Sequence, residues 1–338
     1  MNKYIKVEYV WIDGYKDEPN LRSKTKIIRD PDDEFIGDNI DLTHLPKWSF
    51  DGSSTKQAEG DNSDCILYPI KLVKDPMRKN SYVALCTVHN PDGSPHISNK
   101  RDKIMRNEIH DWFGFEQEYF LMKDGKPLGW PDEGYPKPQG KYYCAIGSKS
   151  VSGREIVEEH LDVCLKAGLN VSGVNAEVAL GQWEYQILGK GEMYAADDLW
   201  LSRYFLYKVC EKYGVEVSLH PKPIRDGDWN GSGMHVNFSS LGMRETGGKK
   251  MLEDICENLG KHHDKFIEKY GFENEQRLTG LHETAHINDF TYGVSDRGAS
   301  IRIPVGVINN NWKGYLEDRR PAANADPYEI TKLISDII

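Results

Sequence analysis

Glu116 and Glu118 lie two residues apart in a stretch, Phe113–Met122, whose residues alternate in character. On a strand, neighbouring side chains point to opposite faces, so these two carboxylates share one face. Like charges that close repel unless a cation sits between them or one is protonated. The pattern recurs along the chain. Asn175 pairs with Glu177, and Gln182, Glu184 and Gln186 alternate with Trp183, Tyr185 and Ile187. His235, Asn237 and Ser239 oppose Met234, Val236 and Phe238. Ser300 and Arg302 oppose Ile301 and Ile303, and Tyr315, Glu317 and Arg319 share a face. If these strands form one curved sheet, their polar faces converge in a cleft holding several glutamates and one histidine. Carboxylate oxygens with a single imidazole suit Mg²⁺ or Mn²⁺ better than zinc. Mg²⁺ binds through a few carboxylates plus substrate phosphates, so a nucleotide is the expected companion.

A second cluster is basic. Arg297, Arg302, Arg319 and Arg320 fall close together, with Arg277 upstream. Guanidinium groups hold phosphates and carboxylates by charge-assisted bonds. Two loops accompany these groups. Trp48-Ser49-Phe50-Asp51-Gly52-Ser53 carries an Asp-Gly turn, and Asp228-Trp229-Asn230-Gly231-Ser232-Gly233 enters the His235 strand. The second matches neither a P-loop nor a dinucleotide fingerprint, and its glycines let backbone approach a ligand closely.

Other segments must position these groups. Tyr4–Ile12, Lys24–Ile28 and Tyr82–Val88 read as strands, so the first part is strand-rich. Residues 89–102 are polar and full of turn formers, marking a domain boundary. Beyond it, Ser152-Gly153-Arg154-Glu155 resembles a capping box, with Val157, Leu161, Cys164 and Leu165 on the following helical face. Further helices are expected over about 195–213, stopped by Gly214, and over about 248–270, weakened by Gly260. A last helix starts at Asp326-Pro327 and buries Ile330, Leu333, Ile334 and Ile337.

The whole chain has 338 residues, with 53 acidic against 43 basic side chains and a net charge of −10. That balance disfavours non-specific binding to nucleic acid or to an anionic membrane. No stretch approaches the ~20 apolar residues of a membrane span, and the first residues lack the apolar core of a secretory leader. The six cysteines are scattered singly, which fits a reduced cytoplasm.

Nine segments in order resemble glutamine synthetase of the shorter, eukaryotic-like type II. They are WSFDGSSTKQAEGDNSD at 48–64, WFGFEQEYFLM at 112–122 and GWPDEGYPKPQGKYYC at 129–144, then NAEVALGQWEYQI at 175–187 and DWNGSGMHVNF at 228–238. RLTGLHET at 277–284, NDF at 288–290, DRGASIRIP at 296–304 and GYLEDRRPAANADP at 314–327 complete the series. The resemblance implies an α+β fold. A β-grasp domain at 1–90, a linker at 91–102 and a catalytic domain at 103–338, with a curved antiparallel sheet backed by helices, are expected.

The implied activity is ATP-dependent ligation of ammonia to the γ-carboxylate of glutamate through a γ-glutamyl phosphate. By the same resemblance, Glu118, Glu177 and Glu184 match the metal site near glutamate. Glu116, His235 and Glu317 match the metal site on the nucleotide phosphates, with two or three Mg²⁺ or Mn²⁺ per active site. Arg297 and Arg302 match the phosphate-binding arginines. Arg277 and Arg319 match the pair that orients glutamate, with the Asp228-Trp229 loop and the backbone around Gly231. Asn237, Ser239 and Tyr315 match the ATP side, to which Glu116, Glu184 and Glu317 also contribute. Glu283 matches a flap carboxylate, and Asp51 the residue that binds ammonium and takes its proton. The family builds its sites between neighbouring subunits, and its eukaryotic-like type stacks two five-membered rings. Val305 and the stretch 306–313 depart from the family pattern, which bears on how ATP is held, and Ser295-Asp296 replaces the more usual Ala-Asn beside Arg297. A ligase using another amine, a non-catalytic ring-forming relative and a phosphagen-type kinase are the competing readings.

Overall fold

The computed structural model describes residues 4–29, 40–104 and 110–338. Residues 1–3, 30–39 and 105–109 lie outside this description. The chain divides into two compact units, residues 1–105 with 162–169, and residues 106–161 with 170–338.

In the first unit, β1 (Tyr4–Ile12), β2 (Leu21–Arg29), β3 (Trp48–Asp51), β4 (Asp64–Lys74) and β5 (Ser81–His89) form one sheet in the order β2-β1-β5-β4-β3. β1 runs parallel to β5, and the other pairs are antiparallel. Ile5, Val7, Tyr9 and Trp11, at alternate positions of β1, meet Phe50, Leu67, Ala84 and Val88 in a common core. Segment 89–104 stays tied to this sheet, since the His96 N–H donates to the Val88 carbonyl at 3.0 Å.

The second unit holds nine strands among its described residues. They are β6 (Trp112–Lys123), β7 (Lys126–Pro127), β8 (Val171–Ala176), β9 (Gln182–Lys190), β10 (Glu216–Ser218), β11 (Met234–Ser239), β12 (Tyr292–Val294), β13 (Ile301–Ile303) and β14 (Leu316–Asp318). The main path is β12-β13-β14-β11-β6-β9-β8, with β7 and β10 also pairing β6. The pairs are antiparallel except β12 with β13, which is parallel. The turn from β6 to β7 is made by Asp124 and Gly125, both at positive φ, which is the geometry of a two-residue hairpin.

Helices α1 (Arg154–Ala167), α2 (Glu192–Tyr213), α3 (Leu241–Glu245), α4 (Lys249–Lys261), α5 (His263–Ile267), α6 (Val305–Asn309) and α7 (Pro327–Ser335) complete the chain. α2 packs on β6, β9 and α7 and covers the apolar face of the sheet with Leu199, Phe205, Leu206 and Val209. It ends at Gly214, whose left-handed backbone caps it.

Three expectations are corrected. On α1, Leu165 is exposed and the buried stripe is Ile156, Val157, His160, Val163 and Cys164, one step round from the expected face. The helix expected over 248–270 breaks at His262 into α4 and α5. Gly260, near that break, faces the Phe290 ring, where a Cβ would come within 2.8 Å. α7 stops at Ser335, so Ile337 lies beyond it, although Ile330, Leu333 and Ile334 are buried as expected. The atypical stretch after Pro304 folds locally as α6.

Candidate active site

Sheet register explains how distant residues meet. Across β11, β6 and β9, His235 stands opposite Glu116 and Glu116 opposite Gln186. One step along β6, Glu118 stands opposite Glu184, which in turn faces Asn175 of β8. Across β13, β14 and β11, Arg302 pairs with Glu317 and Glu317 with Asn237. Because every pair lies on one face of the pleat, the polar groups of six strands project together. They line a cavity of about 590 Å³ that contains Glu116, Glu118, Glu177, Glu184, His235, Glu317, Arg277, Arg297, Arg302 and Arg319.

Two groups of carboxylates within it are geometrically able to hold cations. Glu116, His235 and Glu317 present ligand atoms within 4.8 Å of one another, and so do Glu118, Glu177 and Glu184. Nδ1 of His235 lies 3.5 Å from Glu116 and 3.6 Å from Glu317. Glu118 accepts from the Gly233 N–H at 2.7 Å and from Gln182 Nε2 at 3.3 Å. Glu177, just past the end of β8, accepts from Asn175 Nδ2 at 3.0 Å. Gln186 donates to Glu184, and Asn237 donates to Glu116 at 2.7 Å. Glu116, Glu118, Glu177 and Glu184 are thus each oriented by a neutral donor and keep acceptor capacity for a metal.

Electrostatics agree with this reading of the donors. Burial pushes Glu118 up to about 7. Burial, then the Glu118 charge, pushes Glu177 up to about 8. Burial, then the charges of Glu116, Glu118 and Glu177, pushes Glu184 up to about 9. Three crowded acids that resist ionisation without a counter-ion have the electrostatics a divalent cation would relieve. Burial and the Arg319 charge hold His235 well below its usual range. Its imidazole is therefore neutral, the form that ligates a metal. The all-oxygen triad and the mixed oxygen–nitrogen triad both fit hard divalent ions.

The arginines frame the two triads. Glu317 takes hydrogen bonds from Arg302 and, at 2.6 Å, from Arg319 Nη1. Arg277 is buried, donates to the carbonyls of Arg319 at 3.0 Å and Arg320 at 3.3 Å, and meets His235 Nε2 at 3.0 Å. Burial lowers it to about 10, so it stays charged at neutral pH. Arg320, in the same sequence cluster, turns away. It pairs with buried Asp318 and lies over the rings of Phe266, Tyr270 and Phe290 at 5.1–5.2 Å. Its role is to anchor β14 from behind.

Gly231 lines the cavity, while Asp228 and Trp229 do not. Trp229 is buried against Trp130, with ring centroids 4.7 Å apart, and supports the loop from below. Asn237, Ser239 and Tyr315 line an adjoining, more apolar cavity of about 360 Å³ that shares Glu116 and Gln186 with the first. Trp112 and Arg244 also line it, the guanidinium 4.1 Å from the ring centroid. Glu283 is exposed at the rim, with φ of +59°, and its carbonyl accepts from Arg319 Nη2 at 3.5 Å. Asp51 belongs to the first unit. Hydrogen bonds from Ser53 and Ser54, at 2.6 Å from each hydroxyl, hold its carboxyl below the usual range.

Sequence reasoning assigned no site role to Tyr143, Asn230, His282 and Thr284, which also line the larger cavity. All four sit on irregular loops, where no periodicity marks a face. Their position inside motif segments 129–144, 228–238 and 277–284 was the available signal.

The family model for the glutamine synthetase β-grasp domain matches residues 3–91, and that for the glutamine synthetase catalytic domain matches residues 97–267. The chain belongs to the glutamine synthetase family. That family is one of glutamate–ammonia ligases, which use ATP and a divalent metal. The chain is 53% identical to the glutamine synthetase of Bradyrhizobium diazoefficiens, over 99% of its own length and 96% of that relative. It is 51% identical to that of Rhizobium meliloti, over 98% and 99% respectively. It is 49% identical to the chloroplastic glutamine synthetase of Chlamydomonas reinhardtii, over 97% and 88%. These alignments extend past the catalytic-domain match to the segments carrying Arg277, Glu283, Arg297, Arg302, Glu317 and Arg319. The β-grasp and catalytic domains, and the mixed α and β architecture, agree with the fold expected from sequence. Among the described residues no helix is long and apolar enough to cross a membrane.

Proposed function

We propose that this chain carries out the two-step ligation of ammonia to glutamate in the 590 Å³ cavity. The observation that carries the proposal is the convergence of two cation-competent triads and four arginines on one sheet face. Arg277 and Arg319, with the Gly231 backbone, hold the carboxylate and amino ends of glutamate. Arg297 and Arg302 hold the phosphoryl group as it moves from ATP to the γ-carboxylate, offsetting charge that grows in transfer. Asn237, Ser239 and Tyr315 line the nucleotide's side.

Two or three Mg²⁺ or Mn²⁺ ions, held by Glu118, Glu177 and Glu184 and by Glu116, His235 and Glu317, supply Lewis-acid stabilisation of phosphate oxygens when bound. Ammonium must lose a proton before it attacks the acyl phosphate. Asp51, ionised and exposed, is the proposed anion that attracts ammonium, delivered from a neighbouring subunit in a closed ring. Two stacked five-membered rings are the proposed assembly. Glu283 completes the site from the rim. The cytoplasm is the proposed location, supported by six cysteines scattered singly along the sequence. The proposed domain limits are 1–90, 91–102 and 103–338.

The test is product analysis with glutamate, MgATP and either ammonium or methylamine. Glutamine, ADP and phosphate with ammonium, and none without a divalent ion, is the expected result. Faster turnover with methylamine at equal concentration would overturn the choice of ammonia.

A further inference from the structure

The acyl phosphate reacts with water as well as with ammonia, so a productive site must hold its rim closed. The rim segment 281–284 brings His282, Glu283 and Thr284 to the cavity edge. On its inner side it is tied by Thr284 Oγ1 to the Arg277 carbonyl at 3.3 Å and by Arg319 to the Glu283 carbonyl at 3.5 Å. On its outer side, His282 Nε2 lies 3.3 Å from Asp228 Oδ1. A carboxylate only accepts, so a hydrogen bond in this pair would use an imidazole proton on Nε2. The loop that carries Asp228 is itself fastened. Gln139 Nε2 donates to the Asp228 carbonyl at 3.0 Å and to Asn230 Oδ1 at 2.6 Å. Three loops from distant parts of the chain are therefore linked end to end around one half of the cavity. His282 and Glu283 both sit at positive φ, +54° and +59°. Non-glycine residues pay strain there, so the segment needs outside contacts to keep its shape.

We propose that Asp228, which does not reach the cavity, is a positioning residue that holds the Glu283 segment over the intermediate through His282. This deepens the ligase reading above and rests on it. In the intact site, ammonia attacks the γ-carbonyl carbon, the carbon–oxygen bond to phosphate breaks, and one glutamine accompanies each phosphate. With the tie cut, water attacks the same carbon and returns glutamate plus phosphate, so phosphate outruns glutamine.

The experiment measures phosphate and glutamine in the same reaction at limiting ammonium, using the full-length protein. The variants are Asp228→Ala, Asp228→Asn and His282→Phe. Asparagine keeps an acceptor for the Nε2 proton, so Asp228→Asn holds one phosphate per glutamine. Asp228→Ala and His282→Phe raise the ratio at least about threefold. His282→Phe serves if the alanine variant folds poorly. A ratio of one in Asp228→Ala, or equal uncoupling in the asparagine variant, would overturn the tie. A wild-type chain that makes no glutamine would instead overturn the ligase reading, a result visible before any variant is compared.

Discussion

Glu317 accepts a hydrogen bond from Arg319 at 2.6 Å while standing within 3.6 Å of His235 Nδ1. The same carboxylate also takes Arg302. One side chain therefore joins the Glu116–His235 triad to the arginines proposed to meet anionic substrate. A carboxylate has about four lone-pair sites, enough to serve both at once.

The first expectation follows from that junction. Arg302→Ala leaves the circular dichroism spectrum intact, because Arg302 is partly exposed on a strand whose neighbours Ile301 and Ile303 carry the packing. Turnover falls about 100-fold or more, the scale of losing a preorganised charge at a transferring group. Steady-state kinetics check this, and an unchanged kcat would remove Arg302 from the reacting phosphate.

Metal and pH should act together on stability. Glu118, Glu177 and Glu184 are raised to about 7, 8 and 9, whereas an unfolded glutamate titrates near 4.5. Between these values the folded protein binds protons that the unfolded chain has lost. The contribution of these groups is thus fully present below about pH 4.5 and drains away as pH rises towards 9. A divalent ion takes the place of those protons and binds more tightly as they leave. The melting temperature gained on adding Mg²⁺ should therefore grow steadily from pH 6 to pH 9. A gain that shrinks with pH would show that the three acids do not face the metal.

Gly233 is expected to be irreplaceable for reasons of space. A Cβ there would fall 2.4 Å from Arg277 Nη2, and Arg277 cannot retreat because two backbone carbonyls pin it. Overpacking of this kind costs about 1–3 kcal/mol. Gly233→Ala should raise the KM for glutamate about tenfold while leaving that for ATP nearly unchanged, since the displaced group is the proposed glutamate ligand. Equal changes in both constants would argue for a general loss of structure.

Asp51→Ala should raise the ammonium requirement more than the ATP requirement. Asp51 is exposed and its partners Ser53 and Ser54 are local, so the thermal midpoint should hardly move. Comparing the two KM values checks the assignment, and the reverse ranking would count against an ammonium site at Asp51.

Much of the site was legible because strand alternation is a local property. The faces of β6, β9 and β11 could be read from residue order, and the register then set Glu118 against Glu184 and His235 against Glu116. What alternation could not reveal was direction in short or irregular segments. Arg320 shares a sequence cluster with Arg319, yet the pleat sends it to the opposite side, onto aromatic rings. The break at His262 hides in a pattern that stays helical on both sides of it. His282 and Tyr143 belong to loops, whose side chains are aimed by tertiary contacts and not by period.

The pairing of β6 on both its edges has a consequence for how such a protein can change. Glu116 and Glu118 belong to different triads but ride on one strand, held by β11 on one side and β9 on the other. Deleting a single residue between Trp112 and Glu116 would turn both carboxylates towards the helices and disarm both triads together. The two triads are thus one mechanical object: no shift in the register of this strand can move one and leave the other in place.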